Sequence, residues 1–220
     1  MTLQRLRPIV LGSLYYKSGA LLDRFLASWT GTGMLALLHF AERLHGAAYD
    51  VFRRSLVSPY LPRMSEHVRQ GDWSSYRGLC VRRLVVVALA SLLAFASMAT
   101  AGRPLLRLLI GHGGLTVENV HLLWYLLLLM GGYLVGGALN YVLAQALYAM
   151  GNTTTPAKIG MIGFTVGIPL KIAGLIAWNV QGLALASGVQ QLINLLLFLV
   201  AWRRSLARAS ILANAAEVLP

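Results

Sequence analysis

Glu42 and Arg43 sit side by side about a third of the way into an apolar stretch, Leu35 to Ser65, that is long enough to cross a bilayer. Ionisable groups at membrane depth cost several kcal/mol each unless they reach water or a partner. On an α-helix, at about 100° per residue, His39, Arg43, Asp50 and Arg54 fall within roughly 60° of one another. Leu37, Leu38, Phe40, Leu44 and Val51 remain for lipid or a neighbouring helix. A single charge of this kind is explained by snorkelling or by a structural ion pair. Four polar side chains on one face read instead as the lining of an aqueous pathway.

Other segments repeat the pattern. Ser13, Lys17, Arg24 and Ser28 share one face of the segment before it. Arg24 lies close enough to an end to snorkel, whereas Lys17 is deeper. Tyr133, Gly137, Asn140 and Ala144 form a small, polar face further on, and Ser187, Gln191 and Asn194 form another. Small residues at such spacing more often pack helices than bind ligands, and the second face reads that way. Lys171 is a lone cation in mid-span whose partner the sequence does not identify. The candidate substrate-binding residues are therefore Arg43, Glu42, Lys17, Arg24, Asp50 and Asn140.

Positioning these groups requires a bundle of membrane helices. Hydrophobic residues make up 57% and charged residues 12%, with a mean hydropathy of +0.66. That composition excludes an ordinary soluble domain and points to an all-α polytopic membrane protein. Apolar segments lie at about 8–29, 35–60, 84–101, 116–150, 157–178 and 180–202, followed by a cytoplasmic tail, 205–220. Each is long enough for a spanning helix rather than a barrel strand. Pro59 and Pro62 are expected to end the second, and 63–83 to form a polar connector. Residues 102–115 read as a short interfacial helix and turn, 180–182 as a tight turn, and Thr116 as a helix N-cap. About 11 lysines and arginines flank one side of this topology and about two the other, which places both termini in the cytoplasm.

The net charge of +12 sits in those flanking segments, so it reports topology rather than nucleic-acid binding. One cysteine, Cys80, allows no internal disulfide, and no His/Cys/Asp spacing suggests a metal or another cofactor. The first residues show no cleavable signal pattern. No nucleophile and base share a membrane depth, and His39 and His45 point away from each other on one helix, so an enzyme is not expected.

Five motifs in order carry a family resemblance. They are Asp23-Arg24-Phe25-Leu26-Ala27-Ser28, Phe40-Ala41-Glu42-Arg43-Leu44, Leu61-Pro62-Arg63-Met64-Ser65, Leu147 to Gly160 (LYAMGNTTTPAKIG) and Gly182 to Phe198 (GLALASGVQQLINLLLF). Together they resemble the second lobe of the MurJ/MviN family, lipid-linked peptidoglycan precursor flippases of the multidrug/oligosaccharidyl-lipid/polysaccharide exporter superfamily. The resemblance implies one six-helix lobe of a two-lobe flippase in the bacterial inner membrane. It further implies an undecaprenyl-pyrophosphate-linked glycan as substrate, and Arg43 as the family arginine that lines a cationic cavity and meets the pyrophosphate.

The sequence departs from the family pattern in three ways. Family members run to about twice this length, so a second lobe is expected as a partner, from a separate chain or a homodimer. Arg53, Arg54 and an extra proline interrupt a run that the family keeps apolar, and Lys171 stands where it has a small polar residue. Export of another undecaprenyl-linked polysaccharide precursor, or a truncated, non-transporting membrane scaffold, are the alternatives these departures leave open.

Overall fold

The computed structural model describes residues 19–31, 33–110 and 116–218. Lys17 and Ser13 lie outside them. The described residues are helical with short connections and contain no strand. Helix α1 is Gly19–Ala27, α2 Met34–Phe52, α3 Leu61–Arg69, α4 Trp73–Ile110, α5 Val117–Leu129, α6 Gly131–Ala149 and α7 Thr154–Val218. α5 and α6 meet at a bend of 41°. α7 is two arms divided at Trp178 and Asn179, where the backbone leaves helical geometry. With α5 and α6 taken as one rod and α7 as two, six rods stand beside the short α3.

Two described helices, α4 and α7, are long and apolar enough to cross a membrane, and the bent α5–α6 pair is a third when counted as one span. α2 has 19 residues, about 28 Å of helix, but carries Glu42, Arg43 and Asp50 within them. Leu89, Leu92, Leu93 and Leu108 of α4 are exposed, as lipid contact requires.

Several connections are more helical than the sequence suggests. α2 passes into a wide turn, Arg53–Val57, of π-helical form, and then a tight 3₁₀ turn, Ser58–Tyr60. Pro59 is absorbed there, and Pro62 falls in the first turn of α3, where its missing N–H costs no intrahelical bond. Ser58 Oγ donates to Arg53 O at 2.9 Å, satisfying a carbonyl of the widened turn. The expected polar connector is therefore α3 followed by the start of α4. Asp72 holds that start by accepting from Ser75 N at 3.0 Å and Ser74 Oγ at 2.9 Å, contacts that pull its carboxyl down to about 2.

α4 then runs through 102–110, including Pro104, in place of a separate interfacial helix. Thr116 caps α5 as expected, its Oγ1 accepting from Asn119 N at 3.3 Å. The break between the arms of α7 falls at 178–179 rather than 180–182. Asn179 takes a left-handed φ of 55°, and its Oδ1 accepts the Val180 N–H at 2.9 Å.

Lipid offers no hydrophobic drive for helices to associate, so close packing of small residues does that work. α6 and the second arm of α7 meet through Gly132 against the Gly188 backbone and Gly136 against Gln191. The two arms of α7 meet through Gly174 and Gly182, where a Cβ on Gly182 would fall on the Gly174 carbonyl. One apolar cluster joins Leu37, Leu38 and Ala41 of α2 to Leu123, Leu126 and Leu127 of α5 and to Leu183 of α7. A second surrounds Tyr76, whose hydroxyl donates to Ala146 O at 2.9 Å and accepts from Trp202 Nε1 at 3.3 Å.

Because both atoms at the Gly174–Gly182 contact are backbone, neither arm can yield to a new side chain. Gly182→Ala is expected to cost about 1–3 kcal/mol and lower the unfolding temperature in detergent by roughly 3–10 °C. An unchanged melting curve would show that the arms do not touch there.

Candidate functional site

α2 has two polar faces, and they do different jobs. Leu38, Glu42, His45 and Tyr49 fall within roughly 60° of one another, and the bundle packs against this face. His45 is buried, with Nε2 3.0 Å from Leu127 O and its ring 6.3 Å from that of Tyr133. Tyr49 meets Tyr141 edge-on at 6.0 Å. His39, Arg43 and Asp50 are centred about 110° further round the helix, and Arg54 follows in the wide turn at its end. There Arg43 and Arg54 are exposed, and His39 and Asp50 are partly so.

The inward face opens on a small polar cavity of about 210 Å³, lined by Gly19, Glu42, Tyr133, Lys171, Ser187, Gln190 and Gln191. Lys171, on the first arm of α7, is 6% exposed. An ammonium this deep requires nearby negative charge and dipoles, and Glu42 on α2 lines the same cavity. Neighbouring polar side chains are fixed by the backbone: Gln190 Nε2 donates to Gly163 O at 3.0 Å, and Ser187 Oγ to Leu183 O at 3.1 Å. Glu42 also faces the stripe, with Oε2 3.3 Å from His39 Nδ1.

Tyr133 and Gln191 are shared with a second, larger groove of about 360 Å³. Tyr49, Tyr141, Tyr148 and Phe198 supply its aromatic walls, with Gly137, Asn140 and Ala144 along α6. Asn140 is buried, and its Nδ2 donates to both Gln191 O and Gln191 Oε1 at 3.0 Å. The small, polar faces of α6 and of the second arm of α7 thus meet each other.

The candidate residues are not gathered in one place. Glu42 and Asn140 line the joined cavity and groove, and Arg43 stands on the exposed stripe. Asp50 pairs with Arg53, Oδ1 to Nε 3.2 Å, rather than reaching the groove directly. Arg53 in turn lies over the Tyr141 ring at 6.0 Å, so this pair sits at the groove's edge. Arg24 lines a separate pocket with Gly33, Leu35, Ala36 and His39, which sets it beside the α2 stripe. Lys17 is outside the described residues. Arg43 and Asp50 do not join the Asn140 face among the described residues, because those two side chains leave α2 on its other face.

Sequence reasoning missed two features. Glu42 lines one cavity with Lys171, 129 positions away, which helical spacing within one segment cannot reveal. Tyr49, Tyr141 and Tyr148 are not among the residues that the polar faces single out. Their signal was the spacing of seven between Tyr141 and Tyr148, which puts both on the Asn140 side of α6.

Membrane-length helices, a charge-bearing helix with one face displayed, and polar groups gathered between helices define a polytopic helical membrane protein of transporter-like build. A family model described as "Lipid II flippase MurJ" matches residues 1–218, and the chain belongs to that family. The chain is 26% identical over 210 residues to "Probable lipid II flippase MurJ" of Haemophilus influenzae, covering 93% of this chain and 40% of that protein. It is 26% identical over 197 residues to the protein of the same name from Treponema pallidum, covering 88% and 38%. A solved structure, "Lipid II flippase MurJ, inward closed conformation", superposes with a TM-score of 0.82 at 18% identity, covering 97% of this chain and 46% of that one. That likeness establishes the fold. The chain spans about two fifths of the length of the curated relatives it matches.

Glu42→Gln and Lys171→Met should each lower thermal stability, and the double variant should lose less than their sum. The expected coupling is about 0.5–3 kcal/mol, because the two side chains line one cavity and each single change removes one of its opposite charges. A double-mutant cycle in detergent reads it, and strict additivity would separate the two residues.

Proposed function

We propose that this chain forms one lobe of a lipid II flippase of the bacterial inner membrane, with both termini cytoplasmic, acting in cell-wall biosynthesis. The observation that carries this is the exposed charged stripe of α2. A lone lobe in lipid would leave Arg43 and Arg54 without water or partners, a cost of several kcal/mol each. A second six-helix lobe, from another chain or a second copy, turns the stripe into one wall of an aqueous cavity. Arg24 beside His39 extends that wall to α1.

In this arrangement Arg43 meets the pyrophosphate of an undecaprenyl-linked glycan. A guanidinium offers two parallel, charge-assisted hydrogen bonds to phosphate oxygens, and in a cavity of low dielectric they are little screened. Arg24 adds to the field, while Glu42 and Asp50, held by neighbouring cations, limit the net charge. The two lobes rock around this site to expose it to alternate sides of the membrane. Nothing in the scheme calls for a cofactor or a metal.

Arg43→Ala is expected to insert and express as wild type while lowering precursor flipping about 100-fold, the loss of a bidentate contact of roughly 3 kcal/mol. Arg43→Lys should retain only part of the activity, because a point charge cannot make the two-pronged contact. The assay uses proteoliposomes holding the chain with a partner lobe. If the paired wild type flips nothing, or Arg43→Ala flips as well as wild type, a non-transporting scaffold takes this reading's place.

A further inference from the structure

One face of α4 is exposed along its whole apolar length and ends in arginine on both sides. Arg82, Leu89, Leu93, Ala96, Arg103 and Arg107 fall within roughly 80° of one another on the helix, and each is exposed. From Arg82 to Arg103 the helix rises about 31 Å, close to the thickness of a bilayer's hydrocarbon core. Those two arginines therefore mark the two membrane interfaces. Arg107 stands one turn further out, about 6 Å, in the headgroup layer.

The Arg103 end asks for a partner. In the proposed topology it lies on the side that carries few basic residues, so the bias that orients the chain does not explain a pair there. Arg103 and Arg107 are neighbours on one helix face and line a shallow pocket of about 510 Å³ with Pro104 and Leu108. Neither is in an ion pair among the described residues. Like charges at this spacing repel, and an anion between them removes that cost while accepting charge-assisted hydrogen bonds from both.

Two lipid anions have the required chemistry: the phosphate of an anionic phospholipid and the pyrophosphate of a lipid-linked precursor. Position decides between them. α2 meets α4 at an apolar pocket that Leu44 lines with Ala94, Met98, Ala101 and Leu105. That side of α4 lies roughly 140° round from the arginine pocket, so the two arginines turn away from α2 and its charged stripe. Inward of them lie Ala96 and Leu93, an exposed apolar path for an acyl chain.

We propose that Arg103 and Arg107 hold the phosphate of an anionic phospholipid of the leaflet at that end, its acyl chain lying along Ala96 and Leu93. The site is separate from the substrate path and does not depend on whether the lobe transports. It fixes the depth of α4 in the membrane from the side opposite the main cluster of basic residues.

The test attaches a bimane fluorophore at Ala96→Cys in a Cys80→Ala background, with the full chain in phosphatidylcholine vesicles. Phosphatidylglycerol or phosphatidylcholine carrying a mid-chain nitroxide is added at matched fractions, and quenching reports which lipid occupies the face. With both arginines present, phosphatidylglycerol is expected to be preferred about tenfold. Arg103→Gln and Arg107→Gln should each lose part of that preference and together remove it, whereas Arg82→Gln, at the other interface, should keep it. Equal quenching by the two lipids before substitution, or an undiminished preference in the double variant, overturns the site. Loss of preference in Arg82→Gln as well marks a general surface charge and overturns it too. If a small fraction of undecaprenyl pyrophosphate displaces the labelled phosphatidylglycerol, the pocket belongs to the precursor and the phospholipid assignment fails.

Discussion

Charge at membrane depth must be answered by water, by a counter-charge or by another protein surface, and the arrangement of this lobe follows from that constraint. Three answers occur in one chain. Lys171 is buried in a polar cavity to which Glu42 contributes a carboxylate. Asp50 and Arg53 pair at 3.2 Å where α2 passes into its wide turn. Arg43 and Arg54 are left on the lobe's surface, which makes that surface unfit for lipid and suited to facing a cavity. The chain belongs to the MurJ family and spans about two fifths of the length of the curated relatives it matches.

Backbone packing makes the division possible. The glycines of α6 let that helix lie against the second arm of α7 closely enough for Asn140 to reach the Gln191 carbonyl. The break at Trp178–Asn179 folds the first arm back, and the Gly174–Gly182 contact holds the two arms together. Lys171 is thereby carried opposite α2. Glu42 lies at the border between the two faces of α2, lining the cavity while its carboxylate reaches His39 on the stripe. It links the internal charge of the lobe to the displayed one.

Much of this was legible in the sequence, and the remainder was not, for reasons of geometry. Hydropathy and span length fix an all-α membrane protein, and Thr116 announces a helix start, because these depend on neighbours in the chain. The polar faces at Tyr133–Ala144 and Ser187–Asn194 were visible as periodic patterns. Which side of α2 turns inward was not, since a helix with polar residues on both faces offers two choices and only its neighbours decide. Glu42 and Lys171 come together through the tertiary fold. The helical path through Pro62 and Pro104 was hidden because proline signals a break in sequence, yet it is tolerated in a first turn and in a long helix packed by its neighbours.

The central claim is that the stripe on α2 faces water rather than lipid, and substituted-cysteine labelling tests it most directly. In a Cys80→Ala background, Arg43→Cys and Asp50→Cys are compared with Leu93→Cys, at an exposed position on α4 in the lipid-facing set. A charged, membrane-impermeant thiol reagent applied to vesicles containing the chain with its partner lobe should modify positions 43 and 50 readily and position 93 hardly at all. If 43 and 50 are as unreactive as 93, the stripe lies in lipid and the cavity wall does not exist.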